Sequence, residues 1–144
     1  IHAATDLLAE AKLSPELRNE ALYYRAKAYT KQKAGKKAME DYRELAKDTR
    51  NPYGAEAKYQ VAQSLYDAKE YAAAEKELLN YIEQSTPHAY WLARSFVLLS
   101  DVYHATGKDL DARQYLLSLQ QNYQGNDDIE SMIESRLSKL KVEN

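Results

Sequence analysis

Apolar residues recur at helical spacing over most of the chain. Near the C-terminus, Ile129, Met132, Ile133, Leu137 and Leu140 fall on one face, with Glu130, Glu134 and Lys139 off it. The spacing predicts a helix over 127–141. At the start, Ala3, Ala4, Leu7, Leu8 and Ala11 make the same kind of stripe and predict a helix over 1–12. No capping residue precedes it, so the expectation is that the chain is an excerpt from a longer one. Polar punctuation divides the stretch between these ends. Ser14-Pro15, Asn51-Pro52 and Thr86-Pro87 each pair a good N-cap with a proline at the first helical position, where its missing N–H costs nothing. Their spacings are 37 and 35 residues. Gly125-Asn126-Asp127-Asp128 reads as a fourth start, with Asn126 as cap and two acids facing the positive end of the helix dipole.

Shorter breaks near Ala34-Gly35, Ala68-Lys69-Glu70 and Thr106-Gly107-Lys108-Asp109 split each interval into two helices. A period of helix pairs near 35 residues is the mark of a repeat array. Register supports it. Ala3, Ala38, Ala74 and Ala112 take one position in successive second helices, and Leu7, Tyr42, Leu78 and Leu116 follow four residues later. In the first helices Ala26, Ala62 and Ser100 correspond, with Tyr29, Leu65 and Tyr103 three residues on. A small residue lets two helix backbones approach, and the large one a turn away fills the space beside it.

This pattern, small-x-x-Tyr, a turn, then Ala-x-x-x-Tyr/Leu, resembles the tetratricopeptide repeat (TPR) family. Ala26-Tyr29-Ala38-Tyr42, Ala62-Leu65-Tyr71-Ala74-Leu78 and Ser100-Tyr103-Gly107-Ala112-Leu116 carry the resemblance. Leu22 and Phe96 stand where the family has a first-helix Trp, and Gly35 lies two residues late for the turn glycine that Gly107 supplies. The long spacings resemble bacterial envelope members, such as the outer-membrane assembly lipoproteins. Residues 90–123 are similar to the C-terminal portion of large Bacteroidetes members. The resemblance implies an all-α, right-handed α-solenoid of stacked antiparallel helix pairs. It would be one domain over 1–144, with the second helix of a truncated repeat at 1–12, full repeats at 15–49, 52–85 and 87–123, and a capping helix at 127–141. It also implies a periplasmic or outer-membrane-associated setting, with cytoplasm as the alternative.

Composition narrows the chemistry. Seven Gly plus Pro residues (4 + 3) in 144 are too few for an all-β fold with many tight turns. The absence of Cys excludes thiolate catalysis, thiolate metal sites and disulfides, and leaves the compartment open. A net charge of −2, from 20 basic and 22 acidic residues, gives no footprint for nucleic acid. No apolar run is long enough to insert in a membrane. His2, His88 and His104 are too far apart in sequence for a His-x-x-x-His metal pair. Asp127, Asp128 and Glu130 lack the alternate spacing and glycine of a calcium loop. Glycine-rich nucleotide motifs and the nucleophile elbow are missing too. The expectation is therefore a non-enzyme without metal or cofactor. Lys31, Lys33, Lys36 and Lys37 gather at the first turn, where Glu40, Asp41 and Glu44 offset them as a solvated surface.

In the family the first helices line a concave groove. Carried onto this chain, its positions are Glu20, Tyr23, Lys27 and Lys31; Glu56, Tyr59, Gln63 and Tyr66; and Arg94, Val97, Asp101 and His104. Tyrosine suits recognition because it offers apolar area with a polar tip at small entropic cost. Tyr23 and Tyr59 can equally pack between neighbouring repeats, and Tyr90 and Trp91 read as packing residues. The family's carboxylate clamp of Lys and Asn, Asn, then Lys and Arg maps onto Tyr23, Lys27, Gln60, Arg94 and Leu98, of which only Arg94 has the charge its position calls for. The resemblance thus implies a protein- or peptide-binding scaffold. The alternative is a structural segment that self-associates through its terminal helices, because Leu7, Leu8 and Ala11 lack a preceding helix to cover them.

Overall fold

The computed structural model describes residues 2–9, 13–84 and 87–140, and those residues form an all-α structure. In chain order the helices are α1 (His2–Leu8), α2 (Pro15–Lys31), α3 (Gly35–Leu45), α4 (Pro52–Asp67), α5 (Tyr71–Glu83), α6 (Ala89–Ala105), α7 (Asp109–Asn122) and α8 (Ile129–Leu137). Ala11, in the expected first stripe, and Thr86, the expected third cap, lie outside the described residues. The chain forms two compact units, 1–61 and 62–144.

Two helix starts follow their capping chemistry. Ser14 Oγ accepts from the Leu17 N–H at 3.2 Å, and Pro15 opens α2. Asn51 Oδ1 accepts from the Gly54 N–H at 2.8 Å, and Pro52 opens α4. The other two starts differ. Helix α6 begins at Ala89 with His88 at its N-cap, so Pro87 stands outside the helix. At α8 the Ile129 N–H is taken by Asp127 Oδ1 at 3.0 Å, so Asp127 does the work expected of Asn126.

Three helix reversals are built alike. In the first, the Ala34 N–H donates to the Tyr29 carbonyl at 2.8 Å and the Lys33 N–H to Thr30 at 3.1 Å. In the next, Glu70 donates to Leu65 and Lys69 to Tyr66, both at 2.9 Å. In the last, Lys108 donates to Tyr103 at 2.7 Å and Gly107 to His104 at 3.2 Å. These are the paired bonds of a Schellman cap, which needs a left-handed residue just past the helix. Gly107 fills that place with φ 79°, but Lys33 (φ 60°) and Lys69 (φ 62°) fill the other two. The turn position is therefore regular even where its glycine is not.

Within 1–61, α1 and α3 both pack on α2. Helix α2 buries Ala21, Leu22 and Ala26, and α3 buries Ala38, Asp41, Tyr42 and Leu45. Only one side of α1 is engaged: Leu7 and Leu8 are half-buried and Ala3 is exposed. Asp41, expected on a solvated surface, is 4% exposed and is gripped by Arg25 of α2. Arg25 Nε donates to Asp41 Oδ2 at 2.8 Å and Nη2 to Oδ1 at 2.6 Å, while Nη1 reaches Thr5 Oγ1 of α1 at 3.4 Å. The start of α4 passes against the end of α3 so closely that only Gly54 fits. A Cβ there would overlap the Asp48 carbonyl oxygen and stand 2.8 Å from that of Leu45.

Within 62–144, α6 packs against α5, α7 and α8. Contact on several sides explains why it buries Ala93, Ser95, Val97, Leu98, Leu99, Ser100, Val102 and Tyr103 rather than a single stripe. Its buried serine hydroxyls are satisfied within the helix, Ser95 Oγ on the Trp91 carbonyl at 2.8 Å and Ser100 Oγ on the Val97 carbonyl at 2.6 Å. Ala93, Val97, Leu116, Leu119, Ile129 and Ile133 form one core, flanked by Tyr90, Phe96, Tyr123, Met132, Leu137 and Leu140. Each fully buried Leu or Ile contributes roughly 1.5–3 kcal/mol, which is what fastens α8 to α6 and α7.

Candidate functional site

The ends of α4, α6 and α8 surround an open cavity of about 360 Å³ in the second unit, lined by Gln63, Tyr66, Ser100, Asp101, His104, Arg136, Lys139 and Leu140. Gln63 and Tyr66 come from the last turns of α4, and Ser100, Asp101 and His104 from those of α6. The rest come from the end of α8 and just beyond it. Four residues expected in the groove (Gln63, Tyr66, Asp101 and His104) thus share one surface.

The polar groups are held in place. Arg136 Nε donates to Asp101 Oδ1 at 3.2 Å and Nη2 to Oδ2 at 3.3 Å. Burial pushes the Asp101 carboxyl above the usual carboxylate range, against the opposing pull of Arg136. His104 Nδ1 lies 2.8 Å from Asp109 Oδ1. A carboxylate can only accept, so this pairing assigns the proton to Nδ1 and leaves Nε2 for other contacts. Gln63 Nε2 donates to Asp67 at 2.9 Å. The Ser100 hydroxyl is committed to the Val97 carbonyl and is not held by His104.

The sequence pattern places neither Arg136 nor Lys139 in the groove and sets Lys139 on the outward side of a capping helix. The period contains the missing signal. Gln63, Asp101 and Arg136 are spaced by 38 and 35 residues, and so are Tyr66, His104 and Lys139. Residues from the end of α8 line the same cavity as those from α4 and α6.

The remaining expected residues lie elsewhere. In the first unit, Glu56 is 8% exposed and takes the Tyr23 hydroxyl at 3.0 Å and Lys27 Nζ at 3.1 Å. Lys27 Nζ also stands 5.0 Å above the Tyr23 ring, which packs on Tyr53. These three residues satisfy one another. Tyr59 is buried. Lys31 is exposed at the end of α2, and Glu20 lines an apolar depression beside α1. In the second unit Val97 is 3% exposed within the core, so it offers no surface to a ligand. That face of α6 is covered by packing in the α7 and α8 core. Arg94 Nη1 donates to the Tyr90 hydroxyl at 2.9 Å, which in turn donates to Asp128 at 2.9 Å.

The tyrosines carry a pH signature. Burial is the first cause in raising the phenols of Tyr23, Tyr42, Tyr66, Tyr90 and Tyr103 above their ordinary 10.0. Burial, with the hydrogen bond to Asp127, pushes Tyr123 up to about 12. A phenol that resists ionisation when folded stabilises the fold fully below the unfolded value near 10, and that contribution is lost as pH rises through the folded values. Stability is expected to hold up to about pH 10 and to fall steeply between about 10 and 12. Phenolate absorbance recorded alongside helical circular dichroism checks this. The shifted phenols should ionise as helicity is lost; complete ionisation with helicity intact would contradict it.

No helix among the described residues is long and apolar enough to cross a membrane. No family model matches the chain, and neither a curated protein nor a solved structure matches it with significance.

Proposed function

We propose that the chain is a non-catalytic protein- or peptide-binding scaffold of the TPR kind, whose helix pairs stack as a right-handed solenoid and present a groove to an extended segment. The observation that carries this reading is the cavity of about 360 Å³ in the second unit, where four residues anticipated from the repeat register meet at the ends of α4, α6 and α8. Its size is in the range of ligand-binding clefts, and its lining mixes one aromatic side chain with fixed polar groups. The regular reversals at Lys33, Lys69 and Gly107 support the repeat on which the reading rests. A displayed random-peptide library panned against the wild type and a Tyr66→Ala/Arg136→Gln variant tests it, with circular dichroism to verify that both fold. Sequences enriched on the wild type and lost on the variant are expected. Equal enrichment on both, or none on either, would sink the reading.

A second reading is self-association through the first helices. It is favoured by a depression of about 370 Å³ lined by Ala3, Ala4, Leu7, Leu17, Glu20, Ala21 and Tyr24. Leu17 and Tyr24 there are 47% and 57% exposed. Light scattering over a range of concentrations decides it: a dimer that Leu17→Glu abolishes supports self-association, and a monomer throughout excludes it.

A further inference from the structure

The lining of the second-unit cavity is unequal in its hydrogen-bonding capacity. Its one carboxylate, Asp101, is occupied by Nε and Nη2 of Arg136. That pairing uses two of the five guanidinium N–H groups and leaves Nη1, which has no hydrogen-bond partner among the described residues. Lys139 is exposed at the rim and forms no ion pair among the described residues. The Tyr66 hydroxyl likewise makes no hydrogen bond there; its ring meets Tyr71 edge-on at 5.6 Å. Three donors of one lining are therefore left without a hydrogen-bond acceptor among the described residues. Charge points the same way. With Asp101 matched by Arg136, and His104 directed by Nδ1 to Asp109, the Lys139 ammonium is the surplus charge of the lining.

Resting on the scaffold reading above, we infer that this cavity takes an acidic side chain of the bound segment, its carboxylate held between Arg136 Nη1 and Lys139 with the Tyr66 hydroxyl as third donor. A carboxylate is acceptor-only and carries the charge the lining lacks, and its hydrogen bonds to charged donors are the strong kind. Neutral amides match the donors but not the charge. A cationic side chain would meet both Lys139 and Arg136 and is repelled.

Fluorescence anisotropy with labelled, end-capped peptides tests this on the whole chain. The probes are an alternating Ala-Glu peptide, its Ala-Gln and Ala-Lys counterparts, and the Ala-Gln peptide with a free C-terminal carboxylate. The Glu peptide is expected to bind about tenfold more tightly than the capped Gln peptide, with an affinity that falls as salt rises. The Lys peptide should not bind. Lys139→Glu reverses an exposed charge, so it leaves the fold intact and should weaken the Glu peptide about tenfold. Arg136→Gln should weaken it further.

Equal binding of the capped Glu and Gln peptides would overturn the inference while leaving a peptide-binding groove standing. An unchanged affinity in Lys139→Glu, or no binding by any probe, would overturn it as well. A free-ended Gln peptide that matches the Glu peptide would show that the cavity reads chain ends, against the side-chain assignment. Failure of the scaffold reading itself has a separate signature, the absence of any selected sequence in the library experiment.

Discussion

Replacing Gly54 with alanine should destabilise the protein by about 2–3 kcal/mol. Two effects oppose each other at this position. Gly54 lies in the first turn of α4, and alanine is the better helix former by about 1 kcal/mol. The added Cβ, however, would overlap the Asp48 carbonyl oxygen and come within 2.7 Å of its carbon. Backbone atoms cannot swing aside as a flexible side chain can. Relief requires α4 to move off the end of α3, and overpacking of that kind costs typically 1–3 kcal/mol, occasionally more. The movement would also pull Gly54 N–H from Asn51 Oδ1, loosening the cap. Collision therefore outweighs propensity. Urea unfolding measures the difference, as a lowered midpoint at constant slope. A Gly54→Ala protein as stable as the parent would mean that the two helices do not meet this closely.

The second large effect is expected at Arg25. Its bidentate grip on Asp41 joins α2 to α3 where the carboxylate side chain is only 5% exposed. The Asp41 partnership is also the first cause in raising the Arg25 guanidinium above its ordinary value. Such a pair adds little relative to a well-packed apolar substitute, because both ions had to leave water. Breaking it is another matter. Arg25→Ala strands the Asp41 charge in the interior at a cost of about 3–5 kcal/mol, and the 21% exposure of Arg25 argues for the lower end. The longer contact to Thr5 contributes the smaller part. Thermal unfolding of Arg25→Ala, Asp41→Leu and the double variant Arg25→Met/Asp41→Leu separates these terms. The double variant should be markedly more stable than Arg25→Ala. If Arg25→Ala matched the parent, the carboxylate would have to be reaching water.

Helical period and cap chemistry were the legible parts of this chain. Ala26, Ala62, Ala38, Ala74 and Ala112 are all buried at the aligned positions, because a small residue lets two helix backbones approach closely, whereas Ala3, aligned with them, is exposed. Starts at Pro15 and Pro52 were legible because Ser14 and Asn51 stand directly before them. Pro87 misled because proline fits a turn as readily as a helix start, and α6 begins two residues later. Asn126 and Asp127 offer equivalent side-chain acceptors, and local sequence does not rank them.

Pairings across helices were less legible. Asp41 follows Lys36 and Lys37 by about a helical turn, yet its partner is Arg25 on another helix. Periodicity places a residue on a face but does not say what covers that face. Val97 shows the consequence: it has the spacing of a groove residue but is buried in the core that α7 and α8 complete. Arg136 shows the reverse. It stands in the last turn of a helix whose apolar stripe predicts only a cover for the core, yet it lines the cavity with Gln63 and Asp101.

The left-handed lysines at two of the three reversals leave stability in reserve. An L-residue held in that conformation costs roughly 1–2 kcal/mol, and glycine would remove most of it at an entropic cost of about 0.5–1 kcal/mol. Lys33 and Lys69 are exposed, and neither lines the cavity. They are therefore places where an engineer can harden the protein without touching the lining of the cavity. The same positions show how three reversals can differ in residue identity and still make the same pair of hydrogen bonds. What the three corners share is a backbone shape, and any residue that tolerates the shape can occupy it.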